Sequence, residues 1–199
     1  MKPWIRWSPQ KNGVRQHNND LKNLPLSLVL MTAILITISL LIVACSKNTN
    51  PPDIHQSVMS PEDLGQEHLN PGERYSSYNS IPPTSGPHDP NPLRCGIYSN
   101  SQRNERFLHT MEHGAVVIGY QVDLISLDQI MELQILGEKF LNDGKRIVML
   151  PIESLAVPVA VASWGKLLNL RGVDVEKIEE FVAVFENKGP ERFPRSSAC

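Results

Sequence analysis

Beyond Cys45 this 199-residue chain has no cluster of Lys or Arg. Residues 1–22 carry Lys2, Arg6, Lys11, Arg15 and Lys22 against one acid, Asp20. That leaves 14 basic and 20 acidic residues from Cys45 onward, a formal charge near −6. An acidic segment without a basic patch is a poor partner for nucleic acid, because phosphate binding needs grouped cations. Charge is missing altogether between Leu24 and Ala44. Cysteine is scarce, with only Cys45, Cys95 and Cys199. No internal repeat occurs. Thr84-Ser85-Gly86 lacks the strand before and the helix after that a nucleophile elbow needs, so a serine hydrolase is excluded.

What is there begins with the uncharged run. It is about the roughly 20 residues that span a bilayer. Basic residues before it and none immediately after predict the N-terminus inside and the rest outside the cytoplasmic membrane. The run closes on Ile42-Val43-Ala44-Cys45, which resembles the lipobox of bacterial lipoproteins, with Cys45 as the lipidated residue. It is also longer than the 7–15 residues of an ordinary cleaved signal, so an uncleaved anchor stays open. Both alternatives place the remaining chain at the outer face of the membrane, with the membrane itself as the expected partner. In that oxidising compartment Cys95 and Cys199 form an even pair and are expected to be disulfide-bonded. Closing a loop of about 100 residues is worth roughly 4.7 kcal/mol at most. Two thiolate metal ligands are the alternative.

The chain divides into a basic n-region (1–22), a hydrophobic signal or anchor (23–45), a tether (46–62) and one extracytoplasmic domain (63–199). The tether is Asn-, Ser- and Pro-rich and poor in apolar residues, which predicts a flexible spacer. From 61 to 94 proline stays frequent, which rules out a full strand ladder. Tyr75, Tyr78, Ile81 and Leu93 are interleaved, so this stretch reads as an ordered irregular lobe. Regular structure follows. Ala115 to Gln121 is apolar and β-branched, a buried strand. Ser126-Leu127-Asp128-Gln129 is a capping box opening a helix that Asp143-Gly144 stops. Residues 146–151 and 157–163 read as two more strands, close enough for an antiparallel hairpin. Asp174 caps a last helix, ended by Gly189-Pro190. The order β-α-β-β-α predicts an α+β fold: a small mixed sheet, its first two strands parallel, with helices on one face.

Chemistry concentrates in His109-Thr110-Met111-Glu112-His113-Gly114. Its meaning depends on the backbone. If extended, His109, Met111 and His113 project together, a soft, imidazole-rich set that suits copper. If helical, His109, Glu112 and His113 share a face and read H-x-x-E-H, the zinc-hydrolase pattern in which Glu112 would be the base. His88, after a Gly-Pro turn, and His68 are further candidate ligands. Trp164 reads as core or as a lid over the lobe. His17 and His55 lie outside the motif stretches.

Gly65-Gln66-Glu67-His68, Tyr78, Pro82-Pro83-Thr84-Ser85-Gly86-Pro87-His88, Gly96-Ile97-Tyr98, the His109-to-Gly114 block, Ser163-Trp164-Gly165 and Gly189-Pro190-Glu191 together resemble one bacterial family, domain-of-unknown-function family 3105. The resemblance covers residues 65–199 and includes Cys95 and Cys199. It implies an exported or membrane-anchored protein and no settled activity.

Three functions compete. The first is a metal-binding module for copper or zinc, copper favoured, on His68, His88, His109, Met111 and His113. The second is a zinc hydrolase, which requires 107–113 to be helical. The third is an interaction domain without metal, in which these side chains only fasten the lobe to the sheet. On balance a binding role is favoured over an enzyme.

Overall fold

The computed structural model describes residues 54–191. The basic n-region, the hydrophobic run, Cys45 and Cys199 therefore lie outside the described residues. Folded structure begins within the segment expected to be a tether. Helix α1 (Ile54–Ser57) buries Ile54, and Met59 pairs with the edge of the sheet at Leu167. No helix among the described residues is long and apolar enough to cross a membrane.

The elements then run β1 (Gly96–Ile97), α2 (Asn104–Glu112), β2 (Val116–Tyr120), α3 (Leu127–Asn142), β3 (Ile147–Pro151), β4 (Val159–Ser163), β5 (Lys166–Leu170) and α4 (Val175–Phe185). They form an α+β fold on a five-stranded mixed sheet of order β1-β3-β2-β4-β5. β2 and β3 are parallel, with Val117 opposite Val148, as strands joined through a helix are. The predicted strands and helices appear within a few residues of their expected bounds. The Ser126 capping box is present, and the Asp174 side chain accepts from the Lys177 N–H.

One pairing differs from expectation. β4 does not form a hairpin with β3; it lies antiparallel to β2, with Ile118 opposite Val161. Both edges of β3 are taken, by β1 and β2. The 152–158 loop therefore crosses the end of β2, fastened there by the Ile152 N–H to the Tyr120 carbonyl and the Gln121 N–H to the Pro158 carbonyl. The hairpin in this region is β4–β5, turned by Trp164 and Gly165, the latter at φ 66°. An X-Gly pair between strands is a hairpin signal.

Every residue of β2, β3 and β4 is buried, because the sheet is covered on both faces. The two predicted helices, α3 and α4, share one face. Leu133, Leu136, Phe140, Ile178, Phe181 and Val182 pack there on Val116, Ile118, Ile147, Met149 and Val161. The opposite face takes helix α2, one of the two backbones left open for the histidine motif, through Phe107, Leu108 and Met111 against Val117, Val148, Leu150 and Ala160. Each fully buried apolar side chain of this size contributes about 1.5–3 kcal/mol, enough for three of them to fix a nine-residue helix that would not form alone.

The proline-rich lobe lies over this second face, ordered as expected. Its backbone groups are satisfied piecewise: Gly165 N–H to the Thr84 carbonyl at 2.8 Å, and Leu93 N–H to the Arg106 carbonyl at 3.1 Å. The Thr110 hydroxyl donates to the Leu93 carbonyl at 2.6 Å. The Ile81–Pro82 peptide is cis. The lobe thus meets α2 along the helix face that carries the histidines.

Candidate metal centre

α2 settles the backbone of the motif. His109, Glu112 and His113 stand at i, i+3 and i+4 and share one face, as the H-x-x-E-H pattern requires. Met111 is rotated away from them. It is fully buried among Phe107, Leu108 and Val117, so it is a core residue and stands apart from the imidazole cluster.

The lobe supplies the other imidazoles. Residues 65–69 run alongside 86–88: Gly86 N–H bonds the Gly65 carbonyl at 2.8 Å, His88 N–H the Glu67 carbonyl at 2.9 Å, and Leu69 N–H the His88 carbonyl at 2.8 Å. His68 and His88 are paired by this ladder, and their rings meet edge-on with centroids 4.8 Å apart. The His109 ring lies 5.0 Å from His68, 5.1 Å from His88 and 4.5 Å from His113. The structure therefore brings together His68, His88, His109, Glu112 and His113. Potential ligand atoms fall in two sets mutually within 4.8 Å, His68/His88/His109 and His109/Glu112/His113.

The hydrogen bonds fix which nitrogen faces the cluster. His88 Nδ1 lies 2.8 Å from the Gly86 carbonyl, and His109 Nδ1 lies 2.7 Å from the Asp89 carbonyl. A carbonyl only accepts, so each Nδ1 carries a proton; His109 Nε2 then turns inward with a lone pair, while His88 Nε2 faces the Glu112 carboxylate. Donation of the outer N–H to a backbone carbonyl is the arrangement that orients metal-ligating histidines. The Asp89 turn is held in its own right: its carboxylate accepts from the Gly72 and Asn91 N–H groups and from Arg103.

The inward nitrogens and carboxylates then stand close to one another. His88 Nε2 lies 3.0 Å from Glu112 Oε2, and His109 Nε2 lies 3.0 Å from His113 Nε2. His68 Nε2 is 3.7 Å from Glu112 Oε2. His113 Nε2 also stands 3.2 Å from Glu191 Oε2. Burial pushes the His88 ring toward neutrality, but the bonds to Glu112 and the Gly86 carbonyl outweigh it and raise its pKa. Burial likewise disfavours the Glu112 anion, yet the His88 bond and the surrounding imidazoles lower its pKa on balance. Burial lowers the pKa of both His109 and His113 and so favours the neutral form of those rings.

Glu191 is a site residue that pattern reasoning missed, although Gly189-Pro190-Glu191 stands out in the sequence. It comes from a strap folded back on the C-terminal end of α2. Asn187 N–H bonds the Gly114 carbonyl at 2.7 Å, and Glu191 N–H bonds the Glu112 carbonyl at 3.1 Å. A Cβ on Gly189 would stand 2.1 Å from the Glu112 carbonyl oxygen, so only glycine allows this approach. Access to solvent is graded. His88 and Glu112 are buried, His113 is half-buried, and the side chains of His68 and Glu191 are 47% and 44% exposed at the rim.

Cys95 lies directly before β1, and its expected partner Cys199 is outside the described residues. Trp164, on the β4–β5 turn, packs partly buried against the second-face core and stands edge-on to His88 with centroids 5.9 Å apart.

A family model described as "Protein of unknown function (DUF3105)" matches residues 68–197. The chain belongs to this family. No curated protein and no solved structure matches it. The DUF3105 match spans all the candidate ligands, from His68 to Glu191.

Proposed function

We propose that this DUF3105 protein is a metal-binding module, held at the outer face of the cytoplasmic membrane, that takes divalent transition metal within the cluster of His68, His88, His109, His113 and Glu112. One observation carries the reading: four imidazoles and a buried carboxylate from three separate stretches of chain converge with ring nitrogens inward. With Nδ1–H of His88 and His109 committed to carbonyls, their Nε2 atoms turn inward, that of His88 to the Glu112 carboxylate and that of His109 to His113 Nε2. Protons on His88 and His113 can hold this arrangement, and so can a cation. The spacing suits the cation. Two nitrogens bound at about 2.0–2.1 Å to one ion, at angles between a right angle and the tetrahedral one, stand about 2.9–3.4 Å apart. His109 and His113 stand 3.0 Å apart.

Imidazole with carboxylate suits Cu(II) and Zn(II). The thioether argument for Cu(I) falls away with Met111 in the core. Copper stays favoured as Cu(II), which binds most tightly in the divalent series. Titration of the purified, tag-free chain with Cu(II) and Zn(II) under chelator competition tests this. We expect submicromolar affinity for both, copper the tighter; no binding tighter than micromolar overturns it.

The hydrolase reading comes second. α2 supplies the helical H-x-x-E-H it requires. Against it, Glu112 is only 1% exposed and its carboxylate is already engaged by His88, where a hydrolytic base would face an open substrate site. Failure of the metal-loaded chain to hydrolyse ester or peptide substrates would agree with a binding role. The third reading, a metal-free fastening of lobe to sheet, draws support from the same His88–Glu112 bond and is separated by the titration.

Membrane attachment rests on the uncharged run and the lipobox-like Cys45, and the Cys95–Cys199 disulfide on the oxidising location. Mass analysis of the membrane-extracted chain, with and without reductant, reads both.

A further inference from the structure

We infer that the site is built for two metal ions bridged by Glu112, one on His68 and His88, the other on His109, His113 and Glu191. The inference rests on the metal-binding reading and deepens it. Its ground is the extent of the cluster. Donors sharing one ion with bonds of about 2.0–2.1 Å can be at most about 4.2 Å apart. The imidazoles and Glu112 do not close into one group even at 4.8 Å; they divide into two, with His113 apart from the His68/His88 pair. His109 belongs to both groups by distance, but its Nδ1 is committed to the Asp89 carbonyl, so it has a single nitrogen to give and can serve one ion only.

The carboxylates sort the same way. Glu112 Oε2 is the anionic partner of His88 at 3.0 Å and of His68 at 3.7 Å. Glu191 Oε2 is the partner of His113 at 3.2 Å, and His113 is the partner of His109 at 3.0 Å. Glu112 also belongs to the His109/His113 group, which gives its carboxylate a reach to both ions. Paired metal sites hold their ions about 3.5–4 Å apart, a separation that two interlocked sets with sub-5 Å spacing accommodate. Two dications against two carboxylates leave a net charge near +2. That charge is offset by a small oxygen anion, such as hydroxide, shared between the ions. The ligand class follows: a compact oxyanion reaching the centre past the exposed rim of His68 and Glu191.

The test is stoichiometry on the full-length, tag-free chain. After Zn(II) reconstitution and desalting, elemental analysis is expected to give two ions per chain. His68→Ala changes an exposed side chain and should bring the count to one, with far-UV circular dichroism unchanged. Loading with Cu(II) should give an exchange-coupled pair by electron paramagnetic resonance, with a half-field signal that Glu112→Gln removes. One ion in the unaltered chain overturns the paired centre and leaves the proposed function standing. Two ions without spin coupling overturn the bridge. No ion at all sinks the metal-binding reading itself.

Discussion

His109 Nε2 lies 3.0 Å from His113 Nε2, one helical turn away on α2, while His109 Nδ1 is held at 2.7 Å by the Asp89 carbonyl of the lobe. The helix sets the spacing and the lobe sets the tautomer, so the pair is prepared by two elements that are distant in sequence. His109→Ala should therefore do two things. It should weaken Cu(II) and Zn(II) binding at least 100-fold, as removal of a first ligand does, and it leaves the buried Asp89 carbonyl without its donor. An unsatisfied buried acceptor costs about 1–3 kcal/mol. Competition titration reads the first effect and urea unfolding in chelator reads the second. Retained affinity would remove His109 from the site.

Met111→Leu separates packing from ligation. Met111 is fully buried against Phe107, Leu108 and Val117, and a volume-conserving apolar swap costs less than about 1.5 kcal/mol. Metal affinity is expected to change less than twofold. A tenfold loss of copper affinity with stability intact would restore the thioether as a ligand and contradict the helical assignment of its role.

How much of this the sequence disclosed depends on how local each signal is. The capping box at Ser126, the Asp174 cap and the apolar runs 115–121 and 146–151 are decided by residues a few positions apart, and they stand where the pattern places them. The partner of β4 is decided by which strand edges are already occupied, and β1, which occupies one, is only two residues long with no readable periodicity. α2 was ambiguous for a physical reason. Its helix is short, and its apolar stripe is only three residues, Phe107, Leu108 and Met111, beside buried polar residues, so the pattern is too brief to separate helix from strand. The candidate ligands His68, His88, His109 and His113 could be named from residue type alone. Glu191 could not, because nothing in its neighbourhood but the Gly-Pro before it announces a strap returning to α2.

The pH response of the metal-free chain follows from the pKa directions. Glu112 has a lowered folded pKa, so its contribution is present above its ordinary value and lost as pH falls through the folded one. His109 and His113 are lowered as well; their contribution is present above the ordinary 6.5 and is lost as pH drops below it, when the unfolded rings take up protons that the buried ones resist. His88 is raised and acts oppositely, stabilising below 6.5 and losing that effect as pH rises through its folded pKa. Two depressed rings against one raised ring predict a net loss of stability from pH 7 to pH 5. His113→Ala should flatten that slope in chelator-treated urea titrations. A wild-type profile that rises toward pH 5 would contradict the burial of neutral rings. Metal affinity should fall over the same interval, since protons compete for the same nitrogens.

Trp164 offers an independent reading of where the ion sits. Its ring lies 5.9 Å from His88 by centroids, and the chain's other two tryptophans, Trp4 and Trp7, are in the basic n-region. Cu(II) bound on His88 should quench Trp164 emission strongly, while Zn(II), which has no redox chemistry, should leave most of it. Substituting Trp4 and Trp7 by Phe isolates the signal. Binding by titration without quenching would place the copper away from His88, on the His113 side of the cluster.

Gly189→Ala tests the strap without altering any ligand. The added methyl would meet the Glu112 carbonyl oxygen at 2.1 Å and the Gly114 nitrogen at 2.5 Å, both backbone atoms that cannot swing aside. The strap must then lift, and the Glu191 N–H bond to the Glu112 carbonyl goes with it. Stability should fall by about 1–3 kcal/mol, the range for overpacking. Glu191→Gln serves as the control, because it keeps the strap and removes only the charge beside His113. If Glu191 contributes to the centre, both variants should weaken metal binding, and Gly189→Ala alone should lower the unfolding midpoint. Loss of stability with unchanged affinity in Gly189→Ala would reduce the strap to a fastening of α2 and take Glu191 out of the ligand set.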